Sequence, residues 1–498
     1  MPVPSSLAEP DVVVIGGGTA GAVAARLLAT WGHLVLLVER DAARPALAES
    51  IPPSCIPLLE TVGVRAAVDA AGFVRGGGNT VWWGGEPMRV EPFPGGRLGY
   101  QVLREQFEAV VGDGADAAGV VRRRPATAVR VAAVDGGHEV ELSTPGGREV
   151  VRSSWVLDCS GRAGVMARAH RVAPPEGVRT IALIDTWDSD EGWALPDETH
   201  TLVESADWGW GWSVPVSRTR RYVTAMIDPG ATPLAGDSAL ASRYDSLIRG
   251  LPALGALLRG ARAGGSPWAC EATPYHSREV AIPGALFVGD AASMIDPLSS
   301  FGVKKALASA WLSAVVVHTA LVTPEHGAIA MELYRLREAA YVRSAALALG
   351  GLSRDVVVGG GTPFWIARAE AEVGESGGES SAAIDALRRD PEVLSAFQLL
   401  RDSPSIRLTP TAGGPRSTRA VVRGNVVVPE EHLVLRDVSG GVRYLRNVDL
   451  LALLDVAGRH DDVGAMYASY ARLLGPVALP DFLGALSVLL AKGAARVA

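Results

Sequence analysis

The chain has 498 residues, 48% hydrophobic and 20% charged, with a formal net charge of −7. Its length corresponds to roughly three domain equivalents, and its composition excludes global disorder. A mildly acidic chain without a basic stripe excludes nucleic acid as the main partner; arginine supplies nearly all the positive charge, and lysine occurs only at Lys304, Lys305 and Lys492.

The N-terminal "MPVPSSLAEP" lacks the charged-then-apolar profile of a secretory signal. Cys55, Cys159 and Cys270 are few and widely spaced, forming neither a metal-ligand cluster nor a disulfide framework. Both features fit a reducing cytoplasm.

Residues 11–40 read as strand, tight turn, helix, strand. "DVVVI" and "HLVLLVE" are continuous apolar runs, as buried parallel strands require. Between them lies Gly16-x-Gly18-x-x-Gly21, with Thr19 and Ala20 opening the helix. The first glycine permits the turn, the second lets backbone approach a pyrophosphate, and the third lets helix pack on strand. The helix N-terminus adds free N–H groups and a positive dipole end. Glu39, followed by Arg40, ends the second strand, where a carboxylate accepts from ribose hydroxyls. Two similar stretches are decoys. "DVVVGGGT", 355–362, has Phe364 at its third-glycine position, and "GDGADAAG", 112–119, lacks a preceding strand.

Next comes "AESIPPSCIPLLETVGV", 48–64, which taken alone is a proline-rich loop containing Glu49 and Ser50. Trp82 and Trp83 in "NTVWWGG" read as ordinary packing residues, with a place on the substrate side implied only by the resemblance described below. From about 120 to 160, alternating runs separated by Gly-Gly turns predict a small antiparallel sheet that ends in "VLDCSGRAG" with Asp158. A β-rich block over 178–228 includes "ADWGWGWSVP", in which Trp210 and Trp212 are two apart and share one face. Residues 236–263 read as helical. His276, in "TPYHSREV", is either an acid/base residue or simply hydrogen-bonded.

"GALFVGDAA" gives one more buried strand, then Gly289-Asp290, which alone is a common helix cap. Gly302 and Val303 open the next helix. Its apolar stretch, 307–322, is shorter than the ~20 residues that span a bilayer and reads as buried, so no membrane partner is expected. Lys304 and Lys305 fall in its first turn, where positive charge opposes the macrodipole. They form either a solvated helix edge or a contact with a cofactor or substrate pocket. "GESGGESSA", 374–382, reads as a loop, and the tail as short β runs followed by three helices, a winged-helix-like pattern.

Together, the glycine motif, "VLDCSGRAG", "VGDAASMIDPLSSFGVKKA" and "GWGWSVP" resemble the flavin-dependent tryptophan halogenase superfamily, in particular its non-halogenating FAD-dependent monooxygenase branch. The FAD domain also resembles p-hydroxybenzoate-hydroxylase-type flavoproteins. The resemblance covers about 10–320 and implies FAD as cofactor. Asp158 and Asp290 would lie at the FAD, Glu49 and Ser50 against it, and the Gly302 helix would aim at the flavin pyrimidine edge. The Trp motif would wall flavin from substrate. The resemblance further implies O2 captured as a flavin hydroperoxide, with FADH2 supplied or reduced by a separate flavin reductase.

A halogenase of this superfamily also needs a lysine after the Glu49 segment, and residues 1–303 contain none. Arginine does not replace its amine. In "SMIDPLSSFG", Met294, Ser299 and Phe301 depart from the halogenase pattern, and the Phe301 ring would crowd the chloride site. The expected activity is therefore hydroxylation of an electron-rich indole- or phenol-type aromatic. Halogenation with chloride or bromide, or a dehydrogenase or non-catalytic flavoprotein, are the alternatives. The aromatic is a small molecule or is peptide- or carrier-bound, since a winged-helix-like tail can hold a leader peptide. Trp210, Trp212, His276 and Lys304 are the catalytic candidates.

The expected fold is α/β: a Rossmann-like FAD-binding domain (8–170 and 280–325), an inserted antiparallel β substrate domain (171–279), a helical extension (326–415) and a C-terminal winged-helix-like module (416–498).

Overall fold

The computed structural model describes residues 9–41, 46–172, 174, 178–230, 237–358, 361–370, 386–387, 389–403, 405–411, 416–438 and 441–498. The chain divides into two compact units, Met1–Gly374 and Glu375–Ala498. The 374–382 stretch, apart from this boundary, and the N-terminal octapeptide lie outside the described residues.

The first unit is built on a six-stranded sheet. Val12–Ile15 lies in its middle, parallel to Val35–Val38 on one side and Trp155–Asp158 on the other. Val121–Arg123 and Ala285–Phe287 extend it, and Ala281–Ile282 closes one edge antiparallel. All four residues of each central strand are buried, which explains their uninterrupted apolar sequence. The helix Thr19–Thr30 follows the first strand, and the apolar Gly302–Val322 helix packs against it. The latter is the one described helix long and apolar enough to cross a membrane, and 72% of its apolar window is buried in the fold. A three-stranded antiparallel sheet, Thr127–Val134, Gly137–Thr144 and Gly147–Ser153, contributes Ala128, Val140 and Leu142 to a core shared with Val13 and Leu36.

A second large sheet carries the tryptophan-rich strand. Gly209–Pro215 pairs antiparallel with Thr201–Ala206 and Arg220–Ile227, and the latter pairs with Ile181–Asp188. Two strands come from earlier in the chain. Gly78–Trp82 runs parallel to Thr201–Ala206, and Arg89–Pro92 forms the edge. The sheet therefore reaches outside 171–279. Register fixes its faces. Trp212 opposes Thr224, which opposes Ile184, while Trp210, Met226 and Ala182 form the neighbouring rank on the same face. The other face carries Leu183, Trp187, Val223 and Ala225. It is covered by helices Asp237–Arg249 and Pro252–Leu257 through Tyr244, Ile248 and Leu254.

The second unit contains helix Pro391–Asp402, a hairpin of Arg416–Arg423 with Val426–Leu433, and three helices, Leu450–Ala457, Val463–Leu474 and Leu479–Ala491. Leu408–Pro410 pairs with the last strand, Ala495–Val497. Leu453, Phe482, Leu486 and Tyr470 form its core. Lys492 is buried there and donates to Asp390 at 2.6 Å.

Candidate active site

One cavity of about 650 Å³ runs from the first glycine turn to the face of the second sheet. That size lies within the ~300–1,000 Å³ of ligand sites. Gly16, Gly18, Thr19, Ala20, Glu39 and Arg40 line one end. Gly16 has φ +105°, and a Cβ there would meet the Cys159 carbonyl oxygen at 2.4 Å. A Cβ on Gly21 would lie 1.8 Å from the Gly16 carbonyl oxygen, so helix and turn are in direct contact. Gly21 itself does not line the cavity; its role is the close approach. Gly17, absent from the expected motif, is equally constrained: its Cβ would fall 2.5 Å from the Glu39 carboxyl carbon. Glu39 is 8% exposed, with Arg122 Nη1 at 3.5 Å. No side chain caps the Thr19 helix, which leaves its first N–H groups for a ligand. The cradle fits a dinucleotide: backbone donors for a pyrophosphate, a carboxylate for ribose, and no Cβ in the way.

The middle is polar. Glu49, Ser50 and Asp290 line it, joined by Arg104, Glu108 and Arg162, three residues that no local motif marks. Arg104 lies 3.5 Å from Glu49 and 3.7 Å from Glu108. Burial raises the Glu49 pKa, and Arg104 opposes that shift. The spacing of Arg104 and Glu108 at the start of a helix was the available signal. Ser50 Oγ accepts from Thr201 Oγ1 at 3.1 Å. The Arg162 guanidinium donates to the Thr273 carbonyl at 2.6 Å, and desolvation lowers its pKa.

Two expected FAD contacts shift role. Asp158 is fully buried and does not line the cavity. Its carboxylate accepts from Ser160 N and Oγ at 3.1 and 2.5 Å, and from Met166 N and Ala167 N at 2.7 and 3.0 Å. It organises the loop that presents Ser160 and Arg162. Gly289 is likewise buried, outside the cavity lining, whereas Asp290 faces in.

At the far end, Trp212, Val214, Tyr222, Thr224, Met226 and Ile184 form an almost wholly apolar wall. Met294, Pro297, Ser300, Gly302 and Val303 lie on the loop and helix start beside it. The Gly302 helix also lacks a side-chain cap. Trp210 shares the face of Trp212, with ring centroids 6.3 Å apart, but is 2% exposed and lies behind the wall. It belongs to a cluster with Phe364 and Trp365. Phe364, the residue that spoils the 355–362 decoy, is thus a packing residue of helix Pro363–Ala369.

The remaining candidates leave the cavity. His276 is exposed on its strand and does not line it. Strand parity turns the neighbouring Tyr275 toward the Gly289–Ala291 turn, beside the cavity lining, where its hydroxyl donates to the Asp290 carbonyl at 2.5 Å. Burial pushes the Tyr275 pKa up to about 12. Trp82 packs against the core on the other sheet face. Trp83 is 3% exposed and donates to the Leu352 carbonyl at 2.9 Å, so ordinary packing is the correct reading for both. Phe301 is 41% exposed and does not crowd the cavity. Lys304 lies 5.5 Å from the Phe301 ring centroid, also outside the lining. Lys305 is not a solvated helix edge: it is 1% exposed and faces away from the cavity lining.

With this geometry in place, comparison with known proteins is direct. The family described as "FAD binding domain" matches residues 9–311. The tryptophan 2-halogenase of Chondromyces crocatus is 31% identical over 351 residues, 67% of this chain and 65% of that protein, just under two thirds of its length. The crystal structure of CmlS, a flavin-dependent halogenase, superposes with a TM-score of 0.75 at 20% identity, covering 99% of this chain and 96% of that one. The peptidyl tryptophan dihydroxylase QhpG superposes with a TM-score of 0.68 at 23% identity, covering 98% and 100%.

Proposed function

Because the chain belongs to the FAD-binding domain family, with flavin-dependent halogenases among its relatives, we propose that it is an FAD-dependent monooxygenase acting on an electron-rich aromatic ring. Gly16–Ala20 and Glu39 would hold the dinucleotide, Glu49, Ser50, Arg104 and Asp290 the middle of the cofactor, and the uncapped Gly302 helix start its electron-accepting end. Bound and reduced, FAD supplies two electrons for dioxygen activation. With two protons, the net change would be one oxygen atom inserted into a ring C–H bond as hydroxyl and the other released as water. The wall of Trp212, Ile184, Val214 and Met226 would exclude water and bury the ring. The reduced flavin would come from a separate reductase.

The observation that favours oxygenation over halogenation concerns the amines. All three lysines of the chain lie outside the cavity lining, and Lys305 is engaged elsewhere. Among the described residues, no lysine lines the cavity to take up a halogen. Halogenation is the second reading, favoured by the 31% identity to a tryptophan 2-halogenase. A peptide-borne ring is supported by the fold shared with the peptidyl tryptophan dihydroxylase QhpG over 98% of this chain.

The test is to reduce the FAD-loaded protein anaerobically, then admit oxygen with chloride, bromide and a panel of indoles and phenols. Product gaining one oxygen atom, independent of halide, is expected. Halide-dependent mass gain would establish the second reading instead. Rapid flavin reoxidation with every ring left intact would exclude both.

A further inference from the structure

The first 303 residues contain no lysine, yet two follow at once in the first turn of the Gly302–Val322 helix, whose start borders the cavity. The side chain of the second is fully withdrawn from water. Lys305 and Glu338 are 1% and 2% exposed, with Nζ 3.5 Å from a Glu338 oxygen. An ammonium has three donors. Lys305 directs one to the Gly289 carbonyl at 2.7 Å and a second to the Ser293 carbonyl at 2.8 Å, while Glu338 Oε2, buried and without a hydrogen bond, stands 3.5 Å away as its counter-charge.

Those two carbonyls bracket Asp290, the acid that reaches the cavity from this turn. Other buried groups hold the same backbone. Gly289 N donates to Ser309 Oγ at 3.0 Å, Tyr334 donates to the Phe287 carbonyl at 2.7 Å, and Tyr275 holds the Asp290 carbonyl. Lys305 is the one charged member. Desolvating an ion pair costs several kcal/mol per ion, and an apolar pair of like volume is often as stable or more so. Fold stability therefore gives little reason for an ammonium here. Its distinctive property is that it grips two carbonyls four residues apart, which no apolar side chain does.

We infer that Lys305, anchored by Glu338, is a positioning residue for the cofactor site, fixing the Gly289–Ser293 turn so that Asp290 is presented to bound FAD. This inference rests on the FAD reading above but not on the reaction that follows. Glu338 reaches the turn from the long helix Gly327–Val357, so the pair also ties that helix to the cofactor loop.

The experiment is FAD titration of the full-length apoprotein, followed by flavin fluorescence, with thermal unfolding of each apo variant alongside. Lys305→Met/Glu338→Leu replaces the pair by apolar side chains. It is expected to stay folded with a lowered unfolding temperature, because the Gly289 and Ser293 carbonyls lose a donor, while binding FAD about tenfold or more weakly, the scale of one charge-assisted hydrogen bond lost. Glu338→Gln keeps the shape and removes the anchor, and is expected to weaken binding less. Asp290→Asn should cost less affinity in the double-variant background than in wild type, because an ill-placed acid has less to lose. Wild-type FAD affinity in the double variant, or full additivity with Asp290→Asn, would reduce the pair to a fold element. Should the double variant not fold, Glu338→Gln with unchanged FAD affinity would likewise reduce the pair to a fold element. Failure of wild type to bind FAD would overturn the cofactor reading itself.

Discussion

His33 Nε2 lies 2.7 Å from His318 Nδ1, linking the far ends of the two helices whose N-termini border the cavity. Such a bond needs one nitrogen unprotonated. Burial lowers the pKa of both imidazoles, and the neighbouring His33 lowers that of His318 further. Protons therefore bind the unfolded chain more readily. The contribution is fully present above the free imidazole value of ~6.5 and is lost as pH falls through the lowered folded values. Urea unfolding at pH 7.5 and pH 5 should show lower stability at the acid pH. A His33→Gln/His318→Gln variant should flatten that dependence, and an unchanged slope would show that the pair does not cause it.

Gly17→Ala places its Cβ against a carboxyl at the end of a flexible side chain, so the fold survives and Glu39 moves. FAD affinity should fall about tenfold, the value of roughly one charge-assisted bond to ribose, with little change in melting temperature. Gly21→Ala meets backbone at 1.8 Å and should instead prevent stable folding. Circular dichroism and fluorescence titration separate the two outcomes.

Trp210 and Trp212 should divide stability from function. Truncating buried Trp210 to Ala removes a packed side chain and is expected to cost ~3–5 kcal/mol in denaturant unfolding. Trp212→Ala opens the cavity wall; it should cost less stability while shifting the bound-flavin absorption spectrum and lowering turnover. Equal effects of the two on both measurements would contradict this division.

Asp158→Asn turns an amide group toward the Met166 and Ala167 N–H donors or loses the Ser160 contacts, and should cost ~1–3 kcal/mol. His276→Ala, on an exposed strand position, should leave turnover and its pH profile as in wild type. A pH profile altered by that substitution would return His276 to the chemistry.

Much of this was legible wherever the signal is local. A strand, a glycine turn, a helix and an acid at the next strand end follow one another within 30 residues, and the structure assembles them as expected. Face sharing by Trp210 and Trp212 also follows from strand geometry alone. Depth does not: which of two residues on one face meets the cavity depends on Phe364 and Trp365, over 150 positions away. Tyr275 and His276 differ by one step of strand parity, which composition cannot fix. Arg104, Arg122 and Arg162 owe their roles to partners brought together by topology, and Lys305 looked solvated because Glu338 lies 33 residues later in the chain.

The scarcity of lysine has a practical outcome. Lys305 and Lys492 are buried and ion-paired, so in the folded protein Lys304 is the one lysine side chain with appreciable access to solvent. Besides the α-amine, an amine-directed label therefore marks a single side chain, two residues into the helix whose start borders the cavity.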